Sequence, residues 1–280
     1  VTLAGVKAHA HFPPATSDAV IVQRLRAAGA VIIGRTNLSP MAFSPLGVNR
    51  DFGTPGNPAD RTRIPGGSSS GAAVSVTDGM AVAAIGSDTG GSIRMPAAFC
   101  GIAGIKPTQT RVPLTKTWPL STTLDSVGPL APSIACCALV DAALAGETII
   151  VPDAIPLKGL RFALPMSGVL DDMDATVSKA FQRALQILAK HGAQIIETRM
   201  PEIGEVIAMW RSPPSFTQME GNARYGKMLS ENPDAYDPSI RARFAVGANA
   251  SAKQYIDLLN ARTDIIERSA EATRNFDAVI

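Results

Sequence analysis

The segment from Pro65 to Pro107 constrains this chain more than any other, because two glycine-serine clusters in it bracket a short apolar stretch. The first cluster is Gly66-Gly67-Ser68-Ser69-Ser70-Gly71 and the second is Gly86-Ser87-Asp88-Thr89-Gly90-Gly91-Ser92. Between them, Ala72 to Val76 reads as a small-residue helix closed by Asp78-Gly79, and Ala81 to Ile85 as a buried strand. A flexible linker does not alternate with core in this way. Glycines so placed let the backbone come close to a bound atom and turn several NH groups toward one point, as a developing oxyanion requires. Ser92 ends the second cluster, and Ile93 to Cys100 behind it predicts a helix whose positive end favours negative charge at the serine. The combination points to a serine nucleophile.

Two competing motifs fail on their neighbours. A phosphate-binding loop needs Lys-Ser/Thr after its last glycine, and neither cluster has one. Gly67-Ser68-Ser69-Ser70-Gly71 fits the G-x-S-x-G elbow, but the preceding Arg61-Thr62-Arg63-Ile64-Pro65 is no strand, and the elbow needs a strand-to-helix turn. A serine hydroxyl also needs a base to take its proton. Of the three histidines, His191 lies in Ala189-Lys190-His191-Gly192, a helix C-terminus where a cation suits the dipole. His9 and His11 sit in a loop near the start and read as surface or packing residues. A lysine base is therefore attractive, although no Ser-x-x-Lys occurs anywhere, which excludes the penicillin-binding-protein arrangement.

Taken together, Pro65 to Gly71, Gly86 to Arg94, Pro96-Ala97-Ala98-Phe99-Cys100-Gly101 and Gly104-Ile105-Lys106-Pro107 resemble the amidase signature family. The flanking Gly34-Arg35-Thr36-Asn37 and Leu124-Asp125-Ser126-Val127-Gly128-Pro129 resemble family members as well. The resemblance implies a Ser-cisSer-Lys triad, with Ser92 at the nucleophile position and Ser68 at the bridging serine, preceded by a cis peptide at Gly67-Ser68. The interval from Ser68 to Ser92 agrees with the family's pattern. It further implies an oxyanion hole from the backbone NH groups of Thr89, Gly90, Gly91 and Ser92. Ser69, Asp88 and Arg94 match supporting positions, Asp88 and Arg94 as a pair that holds the loop in shape.

The family's lysine is the point of departure. It lies in a Val-Lys-Asp motif shortly before a segment resembling Val1-Thr2-Leu3-Ala4-Gly5, which places it upstream of Val1. Lys7 comes after Ala4-Gly5 and closer to Ser68 than the family's spacing, and the signature places Lys106 as a structural residue. Asn275 to Ile280 resembles the start of a strand that runs on in the family. The expectation is one amidase domain over residues 1–280, truncated at both ends and inactive as it stands. Its reaction would be hydrolysis of a carboxamide C–N bond through a serine acyl-enzyme, with no cofactor. Two other readings stay open within the resemblance: the glutaminase subunit of a tRNA-dependent amidotransferase, and a non-catalytic member serving as a binding subunit.

The rest of the chain supports an α/β fold, with a mixed, largely parallel sheet flanked by helices. Ser17 to Gly29 predicts a helix capped by Ser17-Asp18, followed by Ala30 to Gly34 as a buried strand. Ser133 to Leu144 reads as an apolar helix, Gly159 to Pro165 as a strand, Asp174 to His191 as an amphipathic helix, and Ala193 to Glu197 as the next strand. The stretch 201–275 turns to charged helices that can wall a substrate cleft, with a strand signal again at Phe276. Trp118 suits packing and a pocket wall equally well.

A net charge of +2 and 5% aromatic content give no reason to invoke a nucleic acid or a membrane surface. The partner expected is a small-molecule amide, and a homo-oligomer stays open. Cys100, Cys136 and Cys137 are odd in number and two are adjacent, which suits packing in a reducing, cytoplasmic setting over a disulfide framework. No Cys/His spacing suggests a metal site.

Overall fold

The computed structural model of the chain describes every residue except Val1 and Ser167. Val1, which opens the segment used to place the upstream lysine, thus lies outside the described residues. In chain order the elements are α1 (Val20–Ala27), α2 (Ser70–Thr77), β1 (Ala84–Asp88), α3 (Arg94–Cys100), β2 (Ala103–Gly104), β3 (Ser126–Ala131) and α4 (Ile134–Ala145). They continue with β4 (Arg161–Pro165), α5 (Ala175–Lys190), β5 (Gln194–Thr198), α6 (Pro201–Arg211), α7 (Phe216–Glu231), α8 (Pro238–Ala245), α9 (Ala252–Thr273) and β6 (Ala278–Val279). No helix among the described residues is long and apolar enough to cross a membrane. The chain divides into two compact units, Val1–Pro152 with Phe216–Ala248, and Asp153–Ser215 with Asn249–Ile280.

The first unit carries both glycine-serine clusters. Its sheet has the order β1-β3-β2 with antiparallel pairing, and all six residues of β3 are buried. Gly128 of β3 pairs with Gly86 of β1, and a Cβ at Gly128 would lie 2.2 Å from the Ile105 carbonyl oxygen, so only glycine lets these backbones close up. Against this sheet packs a core of Ala72, Ala73 and Val74 from α2, Ile93, Ala97 and Cys100 around α3, and Leu130. The small side chains of α2 are what allow it to sink so deep: Gly71 donates its NH to Asn37 O at 2.9 Å, and a Cβ there would meet Asn37 N at 2.5 Å. A second core joins Met41, Leu120, Tyr225 and Leu229 to Tyr236, Ile240 and the fully buried Phe244. There Trp118 stacks on Tyr225 with ring centroids 5.3 Å apart, so the packing role expected of it is observed. His9 is buried against Phe12, Trp118 and Tyr236, as a packing histidine, and burial lowers its pKa.

The second unit holds a parallel sheet of order β5-β4-β6. Asp174 caps α5 by accepting Thr176 N–H at 2.8 Å, as its position suggests. Leu185 is the buried residue of that helix, while Val177 and Ile187 stand exposed, since α5 rests on the edge strand β5. In α9, a capping box between Ser251 and Gln254 starts the helix, and Arg268 gathers Glu202, Glu205 and Asp264.

Three local expectations are corrected. Residues 30–34 form no strand: Val31 is 84% exposed and no described strand pairs with them, and an apolar run becomes a strand only where another edge accepts its hydrogen bonds. The strand predicted at 81–85 begins instead at Ala84 and runs to Asp88, with Val82 in solvent. Helix α1 starts at Val20 without a side-chain cap, because Ala19 occupies the N-cap; Asp18, one residue earlier, pairs with Arg26 at 3.1 Å. The three cysteines are free.

Gly47 sits at φ +77° with its virtual Cβ 2.3 Å from the Gly66 carbonyl oxygen, at the base of the first cluster. Gly47→Ala is expected to lower the unfolding free energy by about 2 kcal/mol, through the left-handed backbone and the overpacked contact. Denaturant unfolding of the two proteins side by side measures it, and equal midpoints would disprove it.

Candidate active site

The first cluster is held from outside. Ser39 N–H donates to the Ser68 carbonyl at 3.0 Å, and Gly67 N–H to Pro45 O at 2.7 Å, so the segment 37–49 forms a wall around it. The peptide between Gly67 and Ser68 is cis. Ser68, Ser69 and Ser92 are buried, Ser92 being the most open at 9% exposure. Helix α2 starts directly at Ser70, whose hydroxyl is buried with no partner among the described residues.

The second cluster is organised by one carboxylate. Asp88, fully buried at the end of β1, accepts Gly91 N–H at 2.6 Å on Oδ1 and Ile93 N–H at 3.1 Å on Oδ2. Arg94 closes on it with two bonds of 3.0 Å, the forked geometry of a guanidinium on a carboxylate. Burial by itself would raise the Asp88 carboxyl, but Arg94 and the NH groups of Ile93 and Gly91 outweigh it and hold the pKa below the ordinary value. The helix-end expectation is corrected here. Helix α3 is only seven residues long, and the NH groups at its start, Ile93 and Arg94, face Asp88 and not the Ser92 side. Gly91 likewise spends its NH on Asp88.

The two clusters meet. Ser69 N–H donates to the Ser92 carbonyl at 3.2 Å, and Ser69 Oγ to Ser87 O at 3.3 Å. Residues remote in sequence thereby bring Ser92 beside the residue that follows Ser68. Thr89 is fastened separately, its hydroxyl donating to Asp125 Oδ1 at 2.5 Å. In the sequence Asp125 stands out only as part of a flanking motif; an aspartate among Ser121, Thr122, Thr123 and Ser126 carries no local signal of burial. Ser126, in the same flanking motif, donates its hydroxyl to Asp88 O, and Glu220, on α7, accepts from Ser121 and Thr123 without any local sequence signal for that role.

Lys7 and Lys106, the two lysines weighed as a base, have other contacts. Lys7 is exposed and stands 5.9 Å from the Phe52 ring centroid. Lys106 donates to Pro107 O at 2.7 Å, with its pKa lowered by burial and by Arg94. A cleft of about 770 Å³ is lined by Asn57, Ala59, Asp60, Arg63, Ile64 and Phe99, and none of the predicted site residues lines it. Among the described residues no group of three or more His, Cys, Asp or Glu is placed to hold a metal ion.

Comparison with known proteins identifies the family and the fold. A family profile described as Amidase matches residues 1–280. The chain is similar to a subunit of the glutamyl-tRNA(Gln) amidotransferase of Carboxydothermus hydrogenoformans, 38% identical over 267 residues, which covers 89% of this chain and 54% of that protein. It is also similar to the 2-amino-5-chloromuconic acid deaminase of Comamonas testosteroni, 34% identical over 264 residues and 92% of this chain, against 56% of the relative. A crystal structure of an amidase superposes with a TM-score of 0.89 at 34% identity, covering 99% of this chain and 62% of that one. The chain therefore spans little more than half the length of the curated relatives it matches. A profile match along the whole chain, joined to a fold shared with an amidase of known structure, places this protein in the amidase signature family.

Proposed function

We propose that the site hydrolyses a carboxamide or related C–N bond through an acyl-enzyme on Ser92. The observation that carries this is the junction of the two clusters, where Ser69 N–H meets the Ser92 carbonyl while Asp88 ties down the loop on the far side of Ser92. Ser92 Oγ adds to the carbonyl carbon as its proton passes to Ser68, and Ser68 hands its own proton to a lysine. The oxyanion is received by backbone NH groups of the second cluster; with Gly91 engaged by Asp88, those of Thr89, Gly90 and Ser92 remain for it. Collapse expels the amine with the proton returned from the lysine, and water then cleaves the acyl-serine ester. The lysine is assigned upstream of Val1, in keeping with the contacts of Lys7 and Lys106. Its pKa must be lowered by burial or neighbouring positive charge to serve as a base.

The test is fluorophosphonate labelling of the protein extended at both ends, with the modified residue mapped. Modification at Ser92 supports the proposal; modification at Ser69, or at no serine, overturns it. Residues 1–280 alone are expected to give no turnover, and robust hydrolysis by them would overturn the upstream lysine.

A second reading is favoured by the 38% identity to a component of a glutamyl-tRNA(Gln) amidotransferase. The same chemistry on glutamine would release ammonia for a partner. Ammonia from glutamine alone, among a panel of simple amides, together with a stable complex, would select the amidotransferase reading; broad amide cleavage selects the hydrolase.

A further inference from the structure

Asp125 lies outside the catalytic groups named so far, yet it is one of the most heavily bonded side chains in the first unit. It is 6% exposed, and both of its oxygens are occupied. Oδ1 accepts the Thr89 hydroxyl at 2.5 Å, and Oδ2 accepts Leu120 N–H at 2.8 Å and Ser121 N–H at 3.0 Å. The turn that presents it is closed by Asp125 N–H on Ser121 O at 2.8 Å. That turn is anchored to α7: Ser121 Oγ donates to Glu220 Oε2 at 2.5 Å, and Thr123 donates to the same carboxylate through its NH at 3.2 Å and through its hydroxyl. The neighbouring Ser126 grips the residue before Thr89, its hydroxyl donating to Asp88 O at 2.9 Å. Asp125 and Ser126 thus hold Thr89 and Asp88 side by side.

We propose that Asp125 is a positioning residue for the acyl-transfer reaction, holding the Thr89 hydroxyl so that the NH cradle beside Ser92 keeps its shape against the 120–125 turn and α7. This role rests on Ser92 acting as the nucleophile. Threonine suits the task because its branched Cβ leaves little freedom at χ1, so that pinning Oγ1 also fixes the backbone of Thr89. Asp88 fastens the loop at Gly91 and Ile93, and Asp125 fastens it at Thr89, so the two carboxylates secure the two ends of the stretch that would face an oxyanion. Burial, with a smaller contribution from the charge of Glu220, raises the Asp125 carboxyl, while Thr89, Leu120 and Ser121 as donors stabilise its ionised form. A carboxylate kept in such a place at that cost is consistent with a holding function.

The test uses the full-length protein and the kinetics of fluorophosphonate labelling at Ser92, resolved into reagent binding and the covalent step. Thr89→Val removes the hydroxyl at nearly constant volume and is expected to slow the covalent step about 10- to 100-fold, with reagent binding within about twofold, because the donors shift from their productive positions. Thr89→Ser restores the hydroxyl and is expected to recover most of the rate. Asp125→Ala deletes the acceptor and is expected to slow the covalent step at least as much as Thr89→Val, and adding Thr89→Val to it is expected to slow it no further, since that bond is already gone. Should Asp125→Ala unfold, the valine and serine variants decide the matter alone. Labelling at Ser92 that is indifferent to Thr89→Val, or a serine variant as slow as the valine one, overturns the role of Asp125 and leaves the nucleophile intact. Failure of the unsubstituted protein to label at Ser92 overturns the nucleophile, and this role with it.

Discussion

Ser92→Ala in the full-length protein is expected to reduce amide hydrolysis by at least about 10³-fold, the scale on which removing a serine nucleophile acts in other acyl-transfer enzymes. The substitution deletes one hydroxyl and leaves the Ser92 carbonyl in place to accept Ser69 N–H, so the fold is expected to survive it. Ser68→Ala should cost a comparable factor. The two act as a unit, so the double variant is expected to fall no further than Ser92→Ala alone. Steady-state rates on one hydrolysed amide, beside thermal unfolding curves for all three proteins, check this. A Ser92→Ala protein with near-normal turnover and an unchanged melting curve would remove Ser92 from the mechanism.

Arg94→Ala is expected to lower stability at neutral pH by roughly 2–3 kcal/mol, less than a fully buried pair would lose because the Arg94 side chain is 54% exposed. Its pH dependence has a definite sign. In the intact protein the Asp88 carboxyl titrates below its unfolded value, so the pair stabilises the fold above about pH 4 and that contribution is lost as acid takes the pH through the folded value. Without Arg94 the burial of Asp88 is opposed only by its NH donors, and the carboxyl is expected to move above the unfolded value. An ionised Asp88 then destabilises the variant most at neutral pH. The deficit against the parent protein should therefore narrow as pH falls from 7 toward 4. Urea midpoints at several pH values across that range measure it, and a deficit that stays constant from pH 7 to 4 would show that Asp88 keeps a depressed pKa without Arg94. Activity should fall along with stability, since the same carboxylate holds Gly91 and Ile93 next to Ser92.

Much of the architecture is legible in the sequence because the signals are local. Ser133 marks the start of a helix and accepts Cys136 N–H at 3.2 Å there; Asp174 plays the same part for α5. The helical texture after Pro201 corresponds to α6 to α9, and the runs at 159–165 and 193–197 to β4 and β5. Strand β3 escapes a reading of the sequence, since Gly128 and Pro129 in Ser126–Ala131 disguise a central position that is buried throughout. Its pairing with β1 is what sets the true bounds of that strand and leaves Val82 outside.

The linear order of residues determined which chemistry the protein carries: serines set among glycines, an aspartate and an arginine at fixed offsets, and helices whose caps and apolar spacing act within a few residues. Tertiary structure decided what each group does. It spent the NH groups of Gly91 and Ile93 on Asp88, turned the start of α3 away from the serine, and brought Asp125 and Glu220 into line behind Thr89. Hydrogen-bond partners distant in sequence are chosen by how strands and turns close on one another. A buried carboxylate finds its donors only once that closure has taken place, which is why no spacing rule along the chain could have named them.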